Sequence, residues 1–214
     1  LSNSHVKGNT KAGSVKAQRV VLACNGYLGN LERRLNSKIL PMNNYIVATK
    51  PLDNETVAKI NPRDIAFADS RFIINYFRLS ADKRLLFGGG ENYSQELSNN
   101  IIPIVTKPLE KIYPFLRGVK IDYAWGGKLA ITMNRLPFFK EMNKGKVLSA
   151  QGYSGQGVAL ASYAGKVITE KITGDGEIFD TMANIPMQSF PGGRFLRNPT
   201  MKVGMFYHAL LDRL

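Results

Sequence analysis

Three glycines and a dense set of backbone and side-chain donors are crowded into Lys146-Val-Leu-Ser-Ala-Gln-Gly-Tyr-Ser-Gly-Gln-Gly-Val158. The apolar start predicts a buried strand, the glycines a turn, and the run from Val158 to Ile172 a helix stopped by Gly174. Such a turn suits an electron-rich ligand. Gly152, Gly155 and Gly157 remove the Cβ atoms that would hold it away, and the first N–H groups of the helix lack intrahelical acceptors. The alternative is a purely structural glycine turn. A dinucleotide fingerprint fits poorly: Leu160 stands where a third small residue belongs, and no strand ending in a ribose-binding acid follows, the region after Gly174 reading as turns and loops.

The elements that would carry this turn are also legible. Val15 to Cys24 reads as a hairpin arm and a buried strand closing on Asn25-Gly26, with Leu28 to Leu35 a short helical stretch. Ile39 to Thr49 is extended, and Asp53 caps a helix over Asn54 to Ile60. Arg71 to Leu79 and Arg84 to Gly88 form a strand pair around Ala81-Asp-Lys83. Ile102 to Phe115 has helical spacing that Pro108 should kink or interrupt. Tyr123 to Gly127 and Leu129 to Thr132 look like strands around a tight turn, and Thr200 to Leu214 like a final helix after an irregular stretch from Phe190 to Arg197.

Composition narrows the function classes. The chain is long enough to bury a sizeable core and has ordinary globular composition, which excludes disorder as its main state. No apolar stretch reaches bilayer length and no signal peptide is evident, so a soluble, cytoplasmic protein is expected. A single cysteine and two distant histidines, His5 and His208, argue against an intrachain disulfide and a metal cluster. Cys24 reads as a small buried hydrophobe. The net charge of +13 is spread in ones and twos without a nucleic-acid-binding motif, so a solvated basic surface, or else an acidic substrate or acidic partner segment, is expected rather than nucleic acid. No acid–base pair suited to hydrolysis stands out, and the catalytic residues are not assigned.

Four segments occur in a fixed order: Val20-Val-Leu-Ala-Cys-Asn-Gly-Tyr27, Arg84-Leu-Leu-Phe-Gly-Gly-Gly90, Trp125-Gly-Gly127 with Thr132-Met-Asn-Arg-Leu-Pro137, and Gln151-Gly-Tyr-Ser-Gly-Gln-Gly-Val-Ala159. In that order they resemble the C-terminal half of an FAD-dependent oxidoreductase of the D-amino-acid oxidase (DAO) family. Phe179-Asp180 and Phe190-Pro-Gly-Gly-Arg194 are similar to its gamma-glutamylputrescine oxidase-like branch. The resemblance implies an α+β fold with α/β elements, in which a partial, Rossmann-like FAD-binding domain is interleaved with a mixed-sheet substrate domain. Residues 1–30 would end the FAD-binding domain, 31–120 form the substrate domain, 121–180 return to the FAD-binding domain, and 181–214 form a tail and helix. The βαβ unit that holds the FAD pyrophosphate and adenosine in the family would lie in an N-terminal segment missing from this sequence.

The resemblance further implies amine or amino-acid oxidation, with hydride passing from the α-carbon to flavin N5 and the imine then hydrolysed. Negative charge gathering at flavin N1 and the C2 carbonyl would be stabilised by Gly152, Tyr153, Ser154, Gly155, Gln156, Gly157 and Val158 at the helix start. Gln156 stands where family members often have histidine. Arg135, Leu136 and Pro137 would form a neighbouring flavin-facing loop, and Asn25 and Gly26 would lie by the ribitol or phosphate, or simply end a strand. Tyr76 and Arg78 share one strand face, where Arg78 would bind a substrate carboxylate or pair with Asp82 or Glu91. Tyr45 and Trp125 complete the candidate substrate contacts, Trp125 as an aromatic wall or as core. The second reading is a non-catalytic binding module or subunit that completes its site with another polypeptide.

Overall fold

The structure is a computed structural model that describes residues 5–71, 74–90, 96–191, 196, 199 and 203–204. In chain order its elements are β1 (Val6–Thr10), β2 (Gly13–Ala17), β3 (Val20–Leu22), a 3₁₀ turn at Asn25–Tyr27, α1 (Arg33–Asn36), β4 (Leu40–Thr49), α2 (Asn54–Ile60), β5 (Phe67–Ala68), β6 (Tyr76–Leu79), β7 (Leu85–Gly88), α3 (Ile102–Ile112), a 3₁₀ turn at Pro114–Leu116, β8 (Ile121–Ile131), β9 (Phe138–Met142), β10 (Val147–Gln151), α4 (Gly157–Thr173) and α5 (Glu177–Ala183). They form two compact units, Leu1–Pro41 with Leu129–Arg197, and Met42–Lys128 with Asn198–Leu214. The fold is mixed α/β with several sheets, as expected from the sequence.

The first unit is built on a three-stranded sheet in the order β3-β10-β9, with β10 parallel to β3 and antiparallel to β9. All five residues of β10 are buried because both faces are covered, which is why the strand reads as an apolar run rather than an alternation. On one face Leu148 and Ala150 pack with Phe139 against Ala164, Val167 and Ile168 of α4. On the other, Phe138 packs with Leu28, Leu35, Ile39 and Ala130. Gly174 ends α4 at φ 116°, the left-handed conformation glycine adopts without penalty.

Three expectations for this unit fail. The β3 segment is not a buried strand: it lies at an edge of the sheet, with Val21 42% exposed. Helix over Leu28–Leu35 is replaced by the turn at Asn25–Tyr27 and by α1, which Glu32 caps through its carboxylate and the Arg34 N–H. The region after Gly174 is not all loop, because α5 forms there. Its weak propensity is overcome by Phe179, wholly buried with its ring edge-on to Phe139 at 5.6 Å. The expected helix from Thr200 to Leu214 falls almost wholly outside the described residues.

The second unit has a five-stranded sheet in the order β5-β6-β7-β4-β8. Register places Phe67 opposite Phe77 and Phe77 opposite Phe87, and their rings stack at 5.3 and 5.4 Å. This ladder lies on the core face with Tyr45, Val47, Leu79 and Leu85, under Val105 and Leu109 of α3. Asp53 caps α2 as expected, its Oδ1 accepting from the Thr56 N–H at 2.8 Å.

Here too the sequence misleads at three places. The strand expected over Arg71–Leu79 shortens to β6. Pro108 sits inside α3 without interrupting it. Proline removes the donor for the Ile104 carbonyl, and that oxygen instead faces Gly90, so closely that a Cβ there would overlap it. The tight turn expected between the Tyr123–Gly127 and Leu129–Thr132 strands is absent, since β8 runs unbroken. Gly126 is needed for approach: a Cβ would lie 2.6 Å from Cδ1 of the buried Tyr45 ring.

Candidate functional site

In the first unit three loops meet at the carboxyl ends of β3 and β10: Asn25–Tyr27, residues 132–137, and residues 152–157. They are braced directly. Asn25, at φ 45°, accepts with Oδ1 from the Gly152 N–H at 3.1 Å. The Ser154 N–H donates to the Ala130 carbonyl at 3.0 Å, and Ser154 Oγ accepts from the Thr132 N–H at 3.3 Å. Thr132 Oγ1 donates to the Leu136 carbonyl at 2.8 Å, and the Arg135 N–H closes back on the Thr132 carbonyl at 3.2 Å.

Strain accompanies the bracing. Asn25, Arg135 (62°) and Ser154 (52°) hold positive φ as non-glycine residues, conformations that cost of order 1–3 kcal/mol each and gather at functional sites. Gly152 has φ 76° and no room for a Cβ beside Thr132 Cγ2, whereas a Cβ on Gly155 would meet nothing within 4 Å. The turn is therefore tightly packed behind Gly152 and open in front of Gly155.

The open side leads to the start of α4. Its N-cap, Gln156, makes no side-chain cap bond, and the first turn has no acidic residue. The first N–H groups of this 17-residue helix thus keep their partial positive charge for an outside acceptor. Val158, one residue into the helix, is 98% exposed, with Leu136 (45%) and Met133 (44%) also exposed on the neighbouring loop. Just behind the turn Gln151 is wholly buried, and neither its Oε1 nor its Nε2 meets a hydrogen-bond partner among the described residues. Positive donors, an open glycine approach and an unsatisfied buried amide fit the electron-rich pyrimidine end of a flavin.

The structure thus brings Asn25, Gly26, Arg135, Leu136, Pro137 and residues 152–158 into one braced group. Tyr153 contributes backbone only: its ring is buried in the core and its hydroxyl donates to the Ala150 carbonyl at 3.1 Å, burial holding its pKa above the usual tyrosine value. Sequence reading missed Thr132 and Gln151 as site-supporting residues. A polar residue ending an otherwise apolar strand, immediately before a glycine turn, is the signal that marks Gln151.

The candidates in the second unit separate by strand face. Register sets Tyr76 opposite Gly88 and Gly88 opposite Ile46, so Tyr76 and Arg78 share the face turned away from the core. Gly88 lets the Tyr76 ring lie across its own Cα, in the space a Cβ would occupy, and the Tyr76 hydroxyl donates to Asn44 Oδ1. Arg78 is exposed and donates from Nε to the Leu79 carbonyl at 3.1 Å. It does not pair with Asp82, which belongs instead to Arg84, as does Asp122. Glu91, the other partner considered, lies outside the described residues. Tyr45 is on the opposite, core face, wholly buried, with its hydroxyl accepting from the Ser98 N–H at 2.9 Å. It is a packing residue in this unit. Trp125 is 45% exposed and does not fill the core.

Among the described residues no group of histidine, cysteine, aspartate and glutamate is placed to hold a metal ion, and no helix is long and apolar enough to cross a membrane.

Comparison with known proteins gives a consistent result. The family model described as FAD dependent oxidoreductase (DAO) matches residues 2–171. Gamma-glutamylputrescine oxidoreductase of Escherichia coli K12 is 38% identical over 206 residues, 96% of this chain and 48% of that protein. A probable oxidoreductase, OrdL, of Rhizobium meliloti is 40% identical over 95% of this chain and 47% of its own length. Among solved structures, glycine oxidase from Bacillus cereus superposes with a TM-score of 0.65 at 16% identity, covering 88% of this chain and 52% of that one, which shows a shared fold. The chain spans about half the length of the curated relatives it matches. With a family match across most of its length and loops whose chemistry suits a flavin, this chain belongs to the DAO family of FAD-dependent oxidoreductases.

Proposed function

We propose that this chain forms part of an FAD-dependent enzyme that oxidises an amine or amino acid. Its first unit would hold the flavin's pyrimidine end, and its second would supply substrate contacts. The observation that carries the reading is the uncapped start of α4 behind an open glycine turn, braced by Asn25, Thr132 and Ser154. FAD when bound supplies a two-electron oxidant that takes hydride from the amine's α-carbon, leaving an imine for water to hydrolyse.

The residues of this chain position and polarise. The N–H groups of Gly157 and Val158 would face the ring atoms where negative charge collects, favouring the reduced form without a charged side chain. Gln156, whose side chain makes no cap bond, would add a neutral donor. Gly155 would allow close approach, and the strained Arg135-Leu136-Pro137 loop would cover the adjoining edge with the exposed Leu136 side chain.

On the second unit, Tyr76 is held by Asn44, and Arg78 is fixed through Nε with the rest of its guanidinium edge available to a carboxylate. Trp125 would offer an exposed aromatic wall. A carboxylate-bearing amine agrees with the substrate named for the E. coli relative, gamma-glutamylputrescine. The pyrophosphate and adenosine contacts, in this proposal, come from a segment outside these 214 residues.

The test is a visible spectrum of the purified protein with FAD, followed through gel filtration and then with candidate amines under anaerobic conditions. Flavin bands that co-elute and bleach on amine addition are expected. A colourless protein peak, or a bound flavin that no amine bleaches, would overturn the reading.

A further inference from the structure

At the opposite end of the first unit's sheet, where β3 and β10 begin, lies a second concavity of different chemistry. It is an open cleft of about 340 Å³ lined by His5, Gln18, Arg19, Lys144, Gly145 and Lys146. We propose that it binds a small multivalent anion carrying phosphate or clustered carboxylate groups.

Backbone geometry builds the cleft. Asn143, Lys144 and Gly145 take positive φ in succession (52°, 55° and 82°), turning the chain sharply between β9 and β10 and setting Lys144 and Lys146 on either side of Gly145. The Val20 N–H donates to the Lys146 carbonyl at 2.8 Å, which ties the Arg19 end of β3 to that turn. Arg19 is held by a bond from Nη1 to the Ile172 carbonyl at 2.8 Å. A carbonyl fixes the guanidinium without neutralising it.

Positive charge is concentrated around the cleft. Lys7 and Lys16 stand directly opposite one another in the β1–β2 hairpin, two residues along each strand from His5 and Gln18 of the cleft, an arrangement that destabilises a strand pair. Among the described residues none of Lys7, Lys16, Arg19 and Lys144 has a carboxylate within ion-pair distance. One acid, Glu141, lies against the Gly145 turn, 3.2 Å from Lys171 Nζ, which also pairs with Asp180 at 2.7 Å. Repulsion kept at a concave surface is relieved by an anion, and lysine and arginine donors bind phosphate and carboxylate through charge-assisted hydrogen bonds.

This site is separate from the flavin-facing loops. The six residue steps along β10 and its ends, from Lys146 to Gly152, put roughly 20 Å between the two. Ligands of open α/β sheets bind beyond the carboxyl ends of the strands, so a basic cleft at their amino ends needs another occupant. Its concavity favours a small molecule over a flat lipid surface.

The test is calorimetric titration of the FAD-loaded protein with inorganic pyrophosphate and, separately, with citrate, at ionic strength held constant with sodium chloride. Saturable 1:1 binding of at least one is expected, pyrophosphate or citrate identifying the preferred group. Lys144→Gln should weaken it by about tenfold, the loss of one charge-assisted bond, and Lys144→Gln with Lys146→Gln further, with circular dichroism and the flavin spectrum unchanged. Should the double variant fold poorly, the exposed single variant carries the test. The proposal is overturned by no saturable binding of either anion, by binding that Lys144→Gln leaves intact, or by binding only to phosphatidylserine vesicles.

Discussion

Replacing Gly152 with alanine probes the packed back of the glycine turn. The new Cβ would overlap Thr132 Cγ2, while Ile39 Cγ2 at 3.5 Å and Phe138 Cβ at 3.8 Å remain ordinary contacts. Thr132 is 1% exposed, and rotating it away would break its bond to the Leu136 carbonyl. Two costs add: about 1–2 kcal/mol for a side chain at φ 76°, and about 1–3 kcal/mol for overpacking. The total of about 2–5 kcal/mol should appear in urea unfolding as a lower midpoint at unchanged slope. Gly155→Ala, at φ 97° with open space around it, should lose only the conformational part. Thr132→Ser removes the overlapping methyl and keeps the hydroxyl bond, so the double variant should recover about 1–3 kcal/mol of coupling. Additivity of Gly152→Ala and Thr132→Ser within about 0.5 kcal/mol would refute the packing argument.

Val158→Glu places an acid in the first turn of α4, where it should stabilise the helix by about 0.3–1 kcal/mol. The same charge should weaken FAD binding by about tenfold, or ~1.4 kcal/mol, and unchanged affinity in a fluorescence titration would tell against the proposed flavin position. Arg78→Gln should raise KM for a carboxylate-bearing amine by about tenfold or more while leaving kcat and the KM of an uncharged amine near wild type; equal effects on both amines would remove Arg78 from carboxylate binding. In the second unit the Thr56 N–H holds Asp53 below the usual carboxylate range, the Ser80 hydroxyl and Arg84 do so for Asp82, and Arg84 for Asp122. Depressed folded pKa values contribute stability that is present above the unfolded value of about 3.9 and is lost as pH falls through the folded one. Melting temperature should therefore drop below about pH 4, and less steeply in Asp122→Asn; parallel melting curves for the two proteins from pH 6 to pH 3 would contradict this.

Elements set by local chemistry were legible in the sequence. Asp53 followed by Asn-Glu-Thr announces the α2 cap, and Gly174 the end of α4. What escaped was decided by partners distant in sequence. The glycine pair before Lys128 suggests a turn nearby until Gly126 is seen packed on Tyr45, Pro108 suggests a kink or an interruption until Gly90 is seen against the Ile104 carbonyl, and α5 reads as loop until Phe179 meets Phe139. At the candidate site the glycines and the Asn25 turn stand out as types, whereas the braces through Thr132 and Ser154 depend on which loops the sheet brings together. Tyr45 and Tyr76 look alike in sequence, but strand register sends one to the core and the other to the open face.

In the proposed function, the start of α4 receives the flavin's pyrimidine end. A crystal structure of the FAD-bound protein tests it most directly. N1 or the C2 carbonyl oxygen of the ring is expected within about 2.7–3.2 Å of the N–H of Gly157 or Val158. A flavin bound elsewhere, with those N–H groups facing only solvent, would contradict it.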